Sequence, residues 1–112
     1  MLSQRTILWP GITGAEYKYC IYPLDTSFDP VPGNYIVARE ADPYHWIAIY
    51  IGETDNLNQL LSNLDNREIM ECIRLHGGTH IHVHNHSRGS GTRRREVTDI
   101  SRKCQPLCKP KK

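Results

Sequence analysis

The chain has 112 residues and a formal charge of +2. That length fits one domain with a modest core, and no run of about 18 apolar residues is present to cross a membrane. A charge this near balance names no partner, but its distribution does: from Arg88 onward lysine and arginine far outnumber the two acids, Glu96 and Asp99, and a basic end invites phosphate or nucleic acid.

Met1 to Gly11 lacks the charged start and long apolar stretch of a secretion signal, so the expected location is cytoplasmic. There the four cysteines, Cys20, Cys72, Cys104 and Cys108, are expected to be reduced thiols. Residues 17–23 alternate and carry aromatics, which predicts a strand ended by Pro23. Asp25 to Asn34 holds Pro30, Pro32 and Gly33 and reads as a turn-rich loop. Tyr35 to Arg39 is the second strand. After a turn, Trp46 to Ile51 is an almost continuous apolar run suited to a central strand, and Gly52 stops it.

Thr54 or Asp55 can cap a helix, because a side-chain oxygen satisfies the free amides of its first turn. Leu57, Leu60, Leu61 and Leu64 recur at helical spacing, which by itself describes a core-facing stripe. Asp65 and Asn66 break that helix and cap a second one, which carries Ile69, Met70, Ile73 and Leu75 and stops at Gly77-Gly78. Thr79 to His86 alternates with period two, so it is a strand with Ile81 and Val83 inward and His80, His82, His84 and His86 on a polar face. A Gly- and Ser-rich loop leads to a last helix, Arg93 to Lys103, with Val97, Ile100 and Cys104 on one side. The predicted class is α/β (α+β): a small, mainly antiparallel sheet of three to four strands flanked by helices. One domain spans residues 1–108, and residues 109–112 form a basic tail.

Three clusters bear on chemistry before any likeness is considered. The strand histidines could hold a borderline metal with help from His76 or a cysteine, but side chains about 7 Å apart on one strand rarely converge on a tetrahedral centre, so zinc is not expected. Cys104 and Cys108, four residues apart, make a similarly thin metal case. Arg88, Arg93, Arg94 and Arg95 surround glycines in a segment fit to lie along a phosphate backbone. No interleaved aromatics are there to stack on bases.

Gly33-Asn34-Tyr35 opens one strand, Tyr50-Ile51-Gly52 ends the next, and Tyr50 follows Tyr35 by 15 residues. With Tyr50 to Leu57, then Gly77 to His82, then Glu96 followed by Ile100 and Pro106 in that order, the chain resembles the GIY-YIG nuclease superfamily, especially its small stand-alone bacterial members, from about Gly11 to Cys108. The resemblance implies hydrolysis of a phosphodiester with one divalent metal, Mg²⁺ or Mn²⁺. Tyr35 and Tyr50 would order the attacking water, and Glu96 would hold the metal. By propensity alone the two tyrosines are ordinary strand residues, and Glu96 is a helix glutamate favoured by the N-terminal dipole.

The chain departs from the family where a cation is needed. Leu60 stands at the family's helix arginine, Leu64 at the histidine usual in the small members, and Cys108 at the closing asparagine. Losing a preorganised donor to the transition state costs about 10²–10³ in rate. The expected function is therefore a nuclease-like domain that binds DNA or RNA backbone through Arg39, Arg88, Arg93, Arg94 and Arg95, with weakened or lost cleavage. One alternative is an active endonuclease in which a substitute arginine replaces the missing cation. Another is a protein-binding regulator whose cleft, lined by Leu60 and Leu64, grips a partner. Neither a small-molecule cofactor nor a membrane partner is expected.

Overall fold

The computed structural model describes residues 5–42, 45–60, 67–85 and 89–108. Five strands, β1 (Thr6–Pro10), β2 (Glu16–Pro23), β3 (Gly33–Asp42), β4 (His45–Thr54) and β5 (His80–Asn85), form one sheet in the order β1-β2-β5-β3-β4. Every neighbouring pair is antiparallel. Two helices, α1 (Arg67–Leu75) and α2 (Ser90–Cys104), accompany it. The α+β class and the antiparallel pairing match the sequence expectation, but the sheet has five strands rather than three to four. The missed strand is β1, whose five residues are too few to display an alternation; Trp9 nevertheless lies buried beneath it.

The leucine-rich stretch after β4 also differs from expectation. Its described part is a 3-10 turn, Leu57–Gln59, capped by Asn56, whose side chain accepts from the Asn58 amide at 2.9 Å. Thr54 instead accepts from the Asn56 amide at 3.1 Å, which bends the chain before the turn begins. Leu61 and Leu64 lie outside the described residues.

Strand alternation sorts side chains onto two faces. Tyr35 and Val37 of β3 lie opposite Val83 and Ile81 of β5, and these four join Leu57, Leu60 and Ile73 in a cluster on the α1 side. Ile36 and Ala38 belong to a second cluster with Trp9, Tyr19 and Ile100 on the α2 side. A shift in register between Val37 and Ala38 leaves Ile49 as an extra residue in β4. Such a bulge re-aims neighbouring side chains, and Ile49 and Tyr50 both enter the α1-side cluster.

The end of the described chain covers the outer edge of β4: Leu107 and Cys108 amides donate to the carbonyls of Ala48 and Ile49 at 3.3 and 2.7 Å. Covering an edge in this way blocks pairing with other strands. It also brings Cys108 under α1, where it forms a disulfide with Cys72, their Cα atoms 6.0 Å apart. The expectation of four reduced thiols is therefore corrected: Cys20 and Cys104 alone are free. The reason is tertiary, since α1 and the C-terminal segment converge on the same apolar cluster.

A second correction concerns the histidine face of β5. His82 is fully buried. The Trp9 indole donates to its Nδ1 at 3.0 Å, and the Trp46 ring stands edge-on with its centroid 4.6 Å away. Burial, more than the nearby His80 and Arg5, lowers the His82 pKa to about 3. The inward-facing strand residues are Ile81 and Val83 as predicted, yet their opposite face is also packed, because Trp9 of β1 and Trp46 of β4 close over His82.

Candidate functional site

Tyr35 and Tyr50 come together as the sequence suggests. Their ring centroids are 6.1 Å apart, and both are buried in the α1-side cluster. A Cβ on Gly52 would lie 2.6 Å from the Tyr35 hydroxyl, so only glycine leaves room for that ring. Burial raises the pKa of both phenols, and for Tyr35 the adjacent Tyr50 and the charge of Glu53 raise it further. Both stay protonated near neutrality and can order water only as hydrogen-bonding groups.

Leu60 shares that cluster and is 2% exposed. A pocket of about 30 Å³ beside it, shared with Leu57 and Phe28, has room for roughly a water or two. Leu60 thus lies on the side of the two phenols, as hydrocarbon packed in the core rather than as the wall of an open cleft.

Glu96 is on the other side of the sheet. It projects from α2, whose Val97, Ile100 and Cys104 pack on the second cluster as predicted. His84 and Asn34 are cross-strand partners in the β3–β5 ladder, one residue from Val83 and Tyr35 and hence on the opposite face. Glu96 Oε1 lies 3.9 Å from His84 Nε2, and the His84 Nδ1 donates to the Lys18 carbonyl at 2.8 Å. The phenols that feel the charge of Glu96 are Tyr17 and Tyr19, not Tyr35 and Tyr50. Tyr19 and Asn34 are both fully buried and face each other, though the Tyr19 hydroxyl and the Asn34 amide make no hydrogen bond of good geometry among the described residues. Burial raises Tyr19 well above the ordinary phenol range, with Glu96 adding to the shift.

Beside this polar cluster an open groove of about 560 Å³ runs along α2, with Arg94, Arg95 and Arg102 on its walls along with Thr92 and Thr98. Its floor is fixed by Asp99, which accepts from the Thr13 amide, the Thr13 hydroxyl and the Tyr17 hydroxyl at 3.1, 2.8 and 2.7 Å. The Tyr17 and Thr13 hydrogen bonds hold the Asp99 carboxyl below its usual range. Tyr17 in turn is pushed up to about 12, by burial first and then by Asp99. Gly11 has no room for a Cβ against that carboxylate.

The five arginines expected to touch nucleic acid do not act alike. Arg94 and Arg95 line the groove. Arg93 is 3% exposed and points inward, where its Nε donates to Glu53 at 3.0 Å and its Nη2 to Asp55. This pins the start of α2 to the end of β4 and removes Arg93 from any outer surface. Arg39 lies near the far end of β3, beside Gly77, roughly 17 Å along the strand from Asn34. Arg88 lies outside the described residues.

Sequence reasoning missed Tyr17, Tyr19, Thr13 and the Glu53–Asp55 clamp. The signal for the clamp was present: Glu53 and Asp55 directly after the Tyr-Ile-Gly triplet are two acids in search of a cation. Tyr17 and Tyr19 share one face of a strand, but nothing local says that a helix some 75 residues later, carrying Glu96, covers them.

No family model, curated protein or solved structure matches this chain. Among the described residues, no helix is long and apolar enough to cross a membrane.

Proposed function

We propose that this GIY-YIG-like domain binds the phosphate backbone of DNA or RNA along the α2 groove and cleaves it weakly or not at all. The observation that supports this is a separation: Tyr35, Tyr50 and Leu60 lie on one face of the sheet and Glu96 on the other. A water ordered by the two buried phenols would not meet a metal held by Glu96. The groove, in contrast, offers arginine and threonine donors on an open surface, suited to phosphate oxygens of any sequence.

The α2 side keeps a donor set that fits a hard cation. Glu96 supplies a carboxylate, and Asn34 supplies a buried amide oxygen with no hydrogen bond among the described residues; such oxygens suit Mg²⁺ or Mn²⁺. When bound, that ion would stabilise charge on a phosphate oxygen. Arg94, two residues before Glu96 on the same groove and 3.6 Å from Glu53, is a candidate for the cation that Leu60 does not provide. This favours, as a second reading, residual cleavage run from the α2 side with Tyr17 or Tyr19 in place of the family pair.

A plasmid-nicking assay with Mg²⁺ or Mn²⁺, run beside a gel-shift at rising salt, separates the two readings. The binding reading expects a salt-sensitive shift and intact plasmid. The residual-enzyme reading expects slow nicking abolished by Glu96→Ala and by Arg94→Ala. Robust nicking that survives Glu96→Ala, or the lack of any shift at low salt, would remove both.

A further inference from the structure

The donors that the structure does gather, among the described residues, are on the α1 side: Cys72, His76 and Cys108, with one ligand atom from each within 4.8 Å of the others. Cys72 and His76 are four residues apart, and the His76 amide donates to the Cys72 carbonyl at 3.0 Å. The helical turn thus continues one residue past the end of α1 and stacks the imidazole over the sulfur. Cys108 arrives independently, set by its backbone hydrogen bond to Ile49 on the edge of β4. Three donors of soft and borderline character, fixed by two separate elements, form the Cys₂His part of a tetrahedral site.

We infer that in the reduced protein Cys72, His76 and Cys108 bind one zinc ion, and that the disulfide is the oxidised, metal-free state of the same site. The two states are close in geometry. Two sulfurs each about 2.3 Å from a tetrahedral zinc stand roughly 3.8 Å apart, which side chains on Cα atoms 6.0 Å apart reach by rotation alone. A dithiol reductant supplies two electrons and two protons, opening the S–S bond to two thiols and becoming a disulfide itself. Zinc then displaces both thiol protons, binds the two thiolates and the neutral imidazole, and takes water at its fourth position. Cys72 and His76 are only partly buried, so reductant and ion both have access, while Cys108 is sealed in the core. In either state the link between α1 and the edge of β4 is kept.

The full chain, reduced with a phosphine and then freed of it, is titrated with Zn²⁺ against a chromophoric chelator, and with Co²⁺ to read sulfur ligation by absorption. One zinc per chain is expected, with sulfur-to-cobalt charge-transfer bands, and at least hundredfold weaker binding after reoxidation. His76→Ala alters a part-exposed residue beyond the end of a helix and should leave the fold intact. Its zinc affinity should drop by at least the roughly tenfold seen when a ligand's support is disturbed. Cys108→Ser should lose the charge-transfer intensity of one thiolate; should it fail to fold, His76→Ala and the oxidised parent carry the test. Equal zinc binding by reduced and oxidised protein, no binding by the reduced form, or an unaltered affinity in His76→Ala would each overturn the assignment.

Discussion

The two faces of this sheet bury different chemistry. On the α1 side the core is apolar around two phenols, Leu60 and a cystine. On the α2 side the buried residues include His82, Asn34, Arg93 and Asp99, and three of these four hold or receive a defined hydrogen bond. Burying a polar group costs free energy unless it is paired, so a face that carries this many is held in one arrangement by its pairs as much as by its packing. The contrast puts the open, arginine-lined groove on the α2 side, although the triplet motif that first draws attention contributes its tyrosines to the α1 side.

The sharpest break in that comparison is Arg93→Ala. Truncating the buried Arg93 removes its hydrogen bonds to the partly exposed Glu53 and exposed Asp55 and empties its site, at a cost of roughly 1–3 kcal/mol, whereas Arg95→Ala on the groove wall should change stability by less than about 0.5 kcal/mol. Urea denaturation of the two variants measures the difference. Equal and small effects would mean that the clamp onto Glu53 does not hold α2 in place.

A smaller effect, spread over pH, belongs to His82. Its folded pKa is depressed from 6.5 to about 3, so the unfolded chain takes up a proton that the folded chain refuses between those values. Stability is fully present above about pH 6.5 and falls as the solution is acidified, by up to roughly 1.4 kcal/mol per pH unit from this group. Asp99 adds a later loss with the same sign, starting as the pH falls through the usual carboxylate range, because its folded pKa is also depressed. Melting temperatures from pH 7 to 4.5 should fall more steeply for the parent than for His82→Gln. Parallel curves would show that the buried imidazole is not the sensor.

Much of this fold was legible, and the limits have physical causes. The alternation of β5 and the glycine stop after α1 come from local periodicity and backbone freedom, and both appear where the pattern puts them, with Gly77 at a φ of +72°. Alternation gives the side of a strand, however, and not what covers that side, so the His82 face reads as polar until Trp9 and Trp46 arrive from other strands. The start of α2 at Ser90 rather than Arg93 has a similar cause. Gly89 and Gly91 advertise a loop, yet the helix begins among them, and its register turns Arg93 inward and Arg94 and Arg95 out. The Cys72–Cys108 pairing bridges 36 residues; no local pattern reports a contact of that range.

The mildest expected effect tests the groove itself. Each arginine that neutralises a backbone phosphate releases condensed counterions, so its loss lowers the slope of log affinity against log salt by about 0.9 on duplex DNA and about 0.7 on a single strand. Arg95→Ala should show that change with little dependence on base sequence, since a phosphate contact positions rather than specifies. Arg39→Ala removes the same charge at the far end of β3 and serves as the control for net charge alone. If both variants reduced the slope equally, attraction would come from the overall charge of the chain, and the α2 groove would lose its claim. If only Arg95→Ala did so, the duplex and single-strand slopes would then distinguish a double-stranded from a single-stranded target, because one contact changes the two by different amounts.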